Sequence, residues 1–310
     1  MRIGIVEPDH FSEHAIQELA SIGNVTFYSD DEDLGDFISD KDVIFVRLKY
    51  KFDDSLIERA NHLKYICSPT TGLNHIDISN DEIKVISLKG DYAFLNSIRA
   101  TPEHIFGLSI ALLRNYHSAF LSKENRNWNR DEYRGEELQG SNVGIIGLGR
   151  IGKILVQYYN AFGSTVYYYD IDKEKEDDGA IRVDSMDNLI NASDIVILSI
   201  NYTPENDGII TKRELSLLDG KYFINTSRGE VLDECALLEY IQTGNYKGIA
   251  LDVLSNEADG PALLDDLLAI EHKKNVIITP HIGGATFQSM RRTEERIVEK
   301  LKETLARKEA

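Results

Sequence analysis

The sequence predicts an α/β protein built on two parallel, doubly wound sheets, and three observations carry that prediction. Short apolar runs alternate with helix-like stretches along almost the whole chain. A glycine-rich turn at 147–152 joins one such run directly to a helical pattern. The next apolar run, 166–169, closes on an acid, Asp170. Parallel strands require a crossover between them, and a helix is the usual one, so strict alternation points to parallel sheets.

In the first hundred residues the apolar runs are 3–6, 25–28, 43–46, 65–67 and 85–88. Each has strand length, and helix-compatible sequence separates most of them. The first turn, 7–10, has no glycines, so this unit is not expected to hold a dinucleotide. Thr101-Pro102-Glu103 begins a helix, because proline suits the first helical position. Ile105, Leu108, Leu112 and Leu113 give that helix its apolar face. The polar segment 122–140 reads as a loop. The second half supplies strands at 143–146, 165–169, 195–200, 222–226, 248–253 and 276–279, with a weaker one at 181–183 for an edge. A helix is expected over 233–242, and a charged one from about residue 289 to the end.

The turn at 147–152 carries the first chemistry. Gly147 permits a tight turn, Gly149 lets backbone approach a pyrophosphate, and Gly152 lets the helix pack against the strand. The helix offers free N–H groups to phosphate charge. Three glycines at this spacing are a weak sign alone. The strand before them, the helix after them and the acid that follows make the pattern specific for a dinucleotide. Asp170 can accept ribose hydroxyls and would repel a 2′-phosphate, and Ile171 and Asp172 offer no arginine to receive one. NAD is therefore expected rather than NADP.

Composition narrows the partners. The 310 residues suit two domains, and the formal charge of −18 opposes binding to nucleic acid or to an anionic membrane. Cys67 and Cys235 are too few for a disulfide framework and imply no metal site; both are expected as buried thiols. No leader-like N-terminus and no membrane-length apolar run is apparent, so a reducing cytoplasm is expected.

Ligands of open parallel sheets lie beyond the strands' carboxyl ends, so polar groups there are the candidates for chemistry. Strand 222–226 leads to Ser227-Arg228-Gly229, strand 248–253 to Glu257, and strand 276–279 to Pro280-His281. Singly, each has an ordinary reading as a surface charge or a structural imidazole. Together beside a dinucleotide they suit hydride transfer to a carbonyl. Arg228 can hold a carboxylate bidentately and polarise the adjacent carbonyl. An imidazole at 281 can donate or accept the proton, and Glu257 can orient it.

These motifs resemble the D-isomer-specific 2-hydroxyacid dehydrogenases: Gly147-Leu-Gly-Arg-Ile-Gly152, Asn225-Thr-Ser-Arg-Gly229, Leu251-Asp-Val with Glu257, and Thr279-Pro-His-Ile-Gly-Gly284. The resemblance extends over essentially the whole chain. It implies a Rossmann NAD-binding domain, residues 101–284, inserted into a smaller flavodoxin-like substrate domain of residues 1–100 and 285–310. It implies cofactor contacts from Gly147, Gly149, Arg150, Ile151, Gly152, Asp170, Thr226, Ser227, Arg228, Asp252, His281, Gly283 and Gly284. It places Arg47 and Gly72, with Arg228 and His281, on the substrate. It also implies a homodimer joined through the NAD-binding domain, with Trp128 on an arm at the partner. The substrate is expected to be a small 2-hydroxy or 2-keto acid.

Some positions depart from the family's pattern. Ala258 follows Glu257 where proline is usual, and Leu48 follows Arg47 where phosphoglycerate-type members carry a small polar residue. Lys49 and Lys51 read as a solvated strand end. The chain is expected to end without an appended regulatory domain. Two alternatives remain open: a formate- or phosphite-type dehydrogenase, and a non-catalytic NAD(H)-sensing, corepressor-like protein, which would bind NADH without turnover.

Overall fold

In the computed structural model, residues 1–121, 128–257, 260–271 and 274–309 are described. Residues 122–127 of the expected polar loop, and Ala258, lie outside them. The chain forms two compact units, Met1–Ile98 with Ala285–Ala310, and Arg99–Gly284.

The first unit contains strands β1 (Arg2–Ile5), β2 (Asn24–Phe27), β3 (Val43–Phe45), β4 (Phe52–Asp53), β5 (Tyr65–Ser68), β6 (Ile76–Asp77) and β7 (Lys84–Ser87). Five of them form a parallel sheet in the order β2-β1-β3-β5-β7. The short parallel pair β4-β6 was not anticipated, because two-residue strands leave no periodicity to read. The C-terminal helix, Phe287–Glu309, returns to this sheet and buries Ile297, Val298 and Leu301 against Ile3, Ile5 and Cys67. Fully buried Cys67 has its thiol pushed well above the ordinary range by desolvation. Cys235 departs from expectation: it is exposed, on the outer face of helix Glu234–Thr243, whose buried face is made by Ala236, Leu237, Tyr240 and Ile241.

The second unit adds β8 (Asn142–Ile146), β9 (Thr165–Tyr169), β10 (Ile181–Arg182), β11 (Ile195–Leu198), β12 (Tyr222–Asn225), β13 (Gly248–Leu251) and β14 (Val276–Ile278). All pair in parallel, in the order β10-β9-β8-β11-β12-β13-β14, with the weak strand at the edge as expected. Alternate residues fill opposite faces. Val143, Ile145, Ile197 and Ile224 enter one core, while Ile146, Val196, Leu198 and Phe223 enter the other. This two-sided burial is why these strands read as continuous apolar runs. The order reverses between β8 and β11, which creates a crevice at their carboxyl ends.

Candidate active site

The glycine turn lies at that reversal. Gly147 has φ of +98°, and a β-carbon there would meet the Ser199 carbonyl oxygen at 2.5 Å. At Gly152 a β-carbon would sit 2.5 Å from the Gly147 carbonyl oxygen. Both glycines are demanded by the protein's own packing. Gly149 differs, since nothing lies within 4 Å of where its β-carbon would be. The open space fits a group that approaches the backbone from outside the chain. Gly149 also caps helix Arg150–Ala161 without a side-chain acceptor, so the helix begins at the turn itself. Ile151 packs on the core, and Arg150 stands near Arg99; burial first, then that like charge, hold its guanidinium below the ordinary value.

Asp170 lies just past β9. Its carboxylate accepts the Leu148 N–H at 2.8 Å, the Asp172 N–H at 2.9 Å and Lys175 Nζ at 3.0 Å. Burial opposes its ionisation, but these donors outweigh burial and hold its pKa below the usual carboxylate range. Two cations here lie 5 and 12 residues beyond Asp170, too far along the chain to be legible in its immediate sequence. Lys175 pairs with the carboxylate, and Arg182 donates to the Asp170 carbonyl oxygen at 2.8 Å. The ribose contact expected of Asp170 would set its negative charge, flanked by these two cations, against a 2′-phosphate. Asp170→Asn keeps an acceptor for Leu148 while removing that charge. It should raise the ratio of NADP to NAD kcat/KM by about tenfold or more, since one like-charge contact is worth about 1.4 kcal/mol or more. An unchanged ratio would disprove the ribose assignment.

At the end of β12, Asn225 is fully buried; its side chain donates to the Arg228 carbonyl oxygen at 2.9 Å and accepts the Ser227 N–H at 3.0 Å. Thr226 and Ser227 are buried in the same turn. Gly229 touches the backbone at 254–255 so closely that a β-carbon would lie 2.0 Å from the Leu254 carbonyl carbon. That contact brings the Arg228 turn against the segment bearing Glu257. Arg228 Nη1 donates to the Ser227 carbonyl oxygen at 2.6 Å. Desolvation lowers the Arg228 pKa, and the nearby charges of Glu257 and Glu230 oppose the shift.

Glu257 Oε2 stands 2.5 Å from His281 Nδ1, and its Oε1 accepts the Leu254 N–H at 3.1 Å. His281 has φ of +53°, a conformation uncommon for a residue with a β-carbon. Asp252, 1% exposed, sustains it. The Asp252 carboxylate accepts Thr279 Oγ1 at 2.6 Å, the Ile282 N–H at 2.9 Å and the Gly283 N–H at 2.8 Å, and its carbonyl oxygen accepts the His281 N–H at 2.8 Å. His104 Nε2 adds a contact at 3.2 Å. Burial raises the Asp252 pKa, but His104, Thr279 and the Gly283 N–H prevail and keep it below the usual range. Asp252, read from sequence as a cofactor contact, therefore also braces the His281 turn from behind. Gly283 could not carry a β-carbon, which would lie 2.8 Å from Asp252 Oδ2, whereas Gly284 faces open space. No signal in the sequence singled out His104, and Asn225 stood out only as the first residue of a family-like motif.

In the first unit the expected substrate residues divide. Gly72 lies in the loop after β5, where Thr70 Oγ1 donates to its carbonyl oxygen at 2.8 Å. Arg47, expected to meet the substrate, is already neutralised. Its Nε is 3.8 Å from Glu7 Oε2, its Nη1 is 3.6 Å from Glu294 Oε1, and its Nη2 donates to the carbonyl oxygens of Glu7 and Asp9. Lys49 is paired with Asp30 at 2.8 Å. Neither partner of Arg47 was visible in sequence, because Glu294 comes from the C-terminal helix.

Glu294 is 0% exposed and accepts the Ser12 N–H at 2.7 Å, with Arg47, Ser12 and Glu295 as its polar surroundings. Burial pushes its pKa up to about 7, against an ordinary value of 4.5. The folded chain therefore holds a proton that the unfolded chain has lost between those values. Stability is fully present below about pH 4.5 and declines as pH rises through about 7. The window corresponds to roughly 3 kcal/mol. Urea unfolding at pH 5 and pH 7.5 should show this decline in the native chain and lose most of it in Glu294→Gln. An equal decline in both proteins would refute it.

Among known proteins, the family described as D-isomer specific 2-hydroxyacid dehydrogenase, NAD binding domain, matches residues 106–283. A D-3-phosphoglycerate dehydrogenase of Methanocaldococcus jannaschii is 33% identical over 98% of this chain and 57% of its own length. A hydroxypyruvate reductase of Thermotoga maritima is 32% identical over 87% of each chain. The crystal structure of an Aquifex aeolicus D-lactate dehydrogenase, complexed with NAD and lactic acid, superposes with a TM-score of 0.83 at 27% identity, covering 99% of this chain and 96% of that one. The chain spans about half the length of the first two phosphoglycerate relatives it matches. Its fingerprint turn, its sheet order and these matches agree: the chain belongs to the D-isomer specific 2-hydroxyacid dehydrogenase family.

Proposed function

We propose that this chain is an NAD-dependent oxidoreductase that interconverts a D-2-hydroxy acid and its 2-keto acid. The observation that carries the reading is the His281–Glu257 pair at 2.5 Å, beside Arg228 at the carboxyl edge of the fingerprint sheet. The open backbone at Gly149, the helix start at Arg150 and the Asp170 carboxylate fit NAD, which when bound supplies or accepts a hydride. The remaining work belongs to side chains. With one guanidinium edge tied to Ser227, Arg228 presents Nε and Nη2 to a substrate carboxylate. Glu257 holds Nδ1, so the proton moved to or from the substrate oxygen is the one on His281 Nε2. In the first unit, the loop carrying Gly72 is the segment assigned to the substrate.

The relatives' names span a phosphorylated hydroxy acid and unphosphorylated ones, so the family leaves the substrate open. Oxidation of NADH with a panel of small 2-keto acids tests the activity. NADH binding without turnover across the panel would favour the sensing protein instead, and turnover of formate or phosphite alone would favour the other dehydrogenase type. A homodimer through the NAD-binding unit fits the exposed aromatics Phe120, Phe162 and Trp128, the last 92% exposed. No described helix is long and apolar enough to cross a membrane, and we assign the protein to the cytoplasm on the reading above.

A further inference from the structure

Among the described residues, the Asp252 carboxylate meets four donors, and three of them come from the turn that carries His281. These are Thr279 Oγ1 at 2.6 Å, the Ile282 N–H at 2.9 Å and the Gly283 N–H at 2.8 Å. The fourth, His104 Nε2 at 3.2 Å, arrives from helix Ala100–Leu113, 148 positions earlier in the chain. All of these residues lie in the second unit, Arg99–Gly284. The helix also meets the turn directly: a β-carbon at Gly283 would lie 3.5 Å from Thr101 Cγ2 and 3.6 Å from His104 Cδ2. The His104 ring therefore rests both on the turn and on the acid that holds it.

The partners of His104 fix which of its nitrogens carries a hydrogen. Asp252 is ionised and can only accept. Thr279 has one hydroxyl hydrogen, which goes to Asp252 Oδ1. His104 Nε2 stands 3.2 Å from Oδ1 and 3.3 Å from Thr279 Oγ1, so it must carry a hydrogen and donate it. That donation matters because Asp252 is 1% exposed. Burial is the largest influence on its ionisation and favours the neutral form, and His104 is the strongest of the groups that oppose burial. A neutral Asp252 would carry a hydrogen of its own, and one of its present donors would lose an acceptor. The N–H groups of Ile282 and Gly283 depend on that acceptor, and they directly follow His281, whose φ of +53° has to be held by its surroundings.

We propose that His104 is a positioning residue for the proton-transfer step: its Nε2–H holds the Asp252 carboxylate against residues 279–283, and that turn holds the His281 ring on Glu257. The proposal rests on the oxidoreductase reading and adds a residue that acts through Asp252. The line of contacts runs from His104 Nε2 to the Asp252 carboxylate and from there to the backbone just after His281. It ends at His281 Nδ1 and Glu257 Oε2, 2.5 Å apart. Loss of the Nε2 donor should therefore slow proton transfer and spare the Arg228 turn, which follows β12 and is held by Asn225 instead.

His104→Phe keeps a ring and removes the donor, whereas His104→Gln places an amide nitrogen near the position of Nε2 and restores it. With a 2-keto acid that the native enzyme reduces, His104→Phe should lower kcat by about tenfold or more and leave KM for the acid within about threefold. His104→Gln should recover most of that loss. A second readout needs no turnover. In NMR spectra of isotope-labelled histidines without NADH, the His281 ring is identified by its absence from His281→Asn. It should show a hydrogen fixed on Nδ1 in the native chain and in His104→Gln, and exchange between both nitrogens in His104→Phe. Should a circular-dichroism melt show His104→Phe unfolded, His104→Asn, polar but too short to reach Asp252, should give the same losses. An unchanged His281 spectrum in the donor-free variant would overturn the proposal, as would equal losses with and without the restored donor. So would a loss confined to NADH affinity, since His104 would then act through cofactor binding alone. Absence of turnover with any acid in the native protein, alongside a His281 spectrum that depends on a donor at position 104, would instead sink the dehydrogenase reading and leave the brace standing.

Discussion

His281→Asn should lower kcat by about 10²- to 10⁴-fold while leaving the Kd for NADH within a factor of about three. Asparagine is the informative replacement because His281 has φ of +53°, and asparagine tolerates left-handed backbone better than alanine does. The turn held by Asp252 is therefore preserved while the group that moves the proton is lost. The effect belongs in kcat because the role proposed for His281 is proton transfer, an interaction absent from NADH binding. Steady-state turnover and NADH fluorescence titration measure the two quantities separately. Turnover within a few-fold of native would remove His281 from the chemistry, and a matching loss of NADH affinity would mean that the turn itself had collapsed.

Arg228→Lys should lower kcat/KM for a 2-keto acid by roughly a hundredfold, with KM raised and kcat reduced together. Lysine keeps the positive charge that Glu257 and Glu230 face, so the variant avoids leaving those acids uncompensated. What disappears is the planar fork. One charge-assisted contact of that kind is worth about 1.5–3 kcal/mol, which sets the expected size. Loss in kcat alone would mean that Arg228 touches only the transition state. No loss would return it to the surface charge that a lone arginine after a strand usually is. A circular-dichroism melt of the variant separates a failure to fold from a failure to bind.

Much of the second unit was legible in sequence because its determinants are local. The apolar runs at 143–146, 195–198 and 222–224 are short, buried on both faces and bounded by turns, which is the pattern of a parallel-sheet strand. Gly152 is required by the Gly147 carbonyl oxygen, a few residues away, and Gly147 by its own φ of +98°. Arg228, Glu257 and His281 could be aligned because a parallel sheet delivers every strand end to the same edge. The two-residue strands β4 and β6 were not legible, since they carry too few side chains to show a period. Cys235 was misjudged because it adjoins buried Ala236 and Leu237 on one helix, and the helical turn swings adjacent residues to different faces.

Charge pairing was the least legible property. Lys175 and Arg182 look like ordinary surface residues in sequence, yet one neutralises Asp170 and the other braces its carbonyl group. His104 reaches Asp252 from a helix far earlier in the chain. Glu294 finds Ser12 across 282 positions and Arg47 beside it.

The sequence by itself determined the strand–turn–helix that fits NAD, the parallel sheets and the strand ends that carry Arg228, Glu257 and His281. All of these follow from backbone conformation and apolar periodicity over a few residues. Only the tertiary structure decided which ions are available to a ligand. An ion pair depends on separation in space and on burial, and only the fold brings Glu294 of the last helix within 3.6 Å of Arg47.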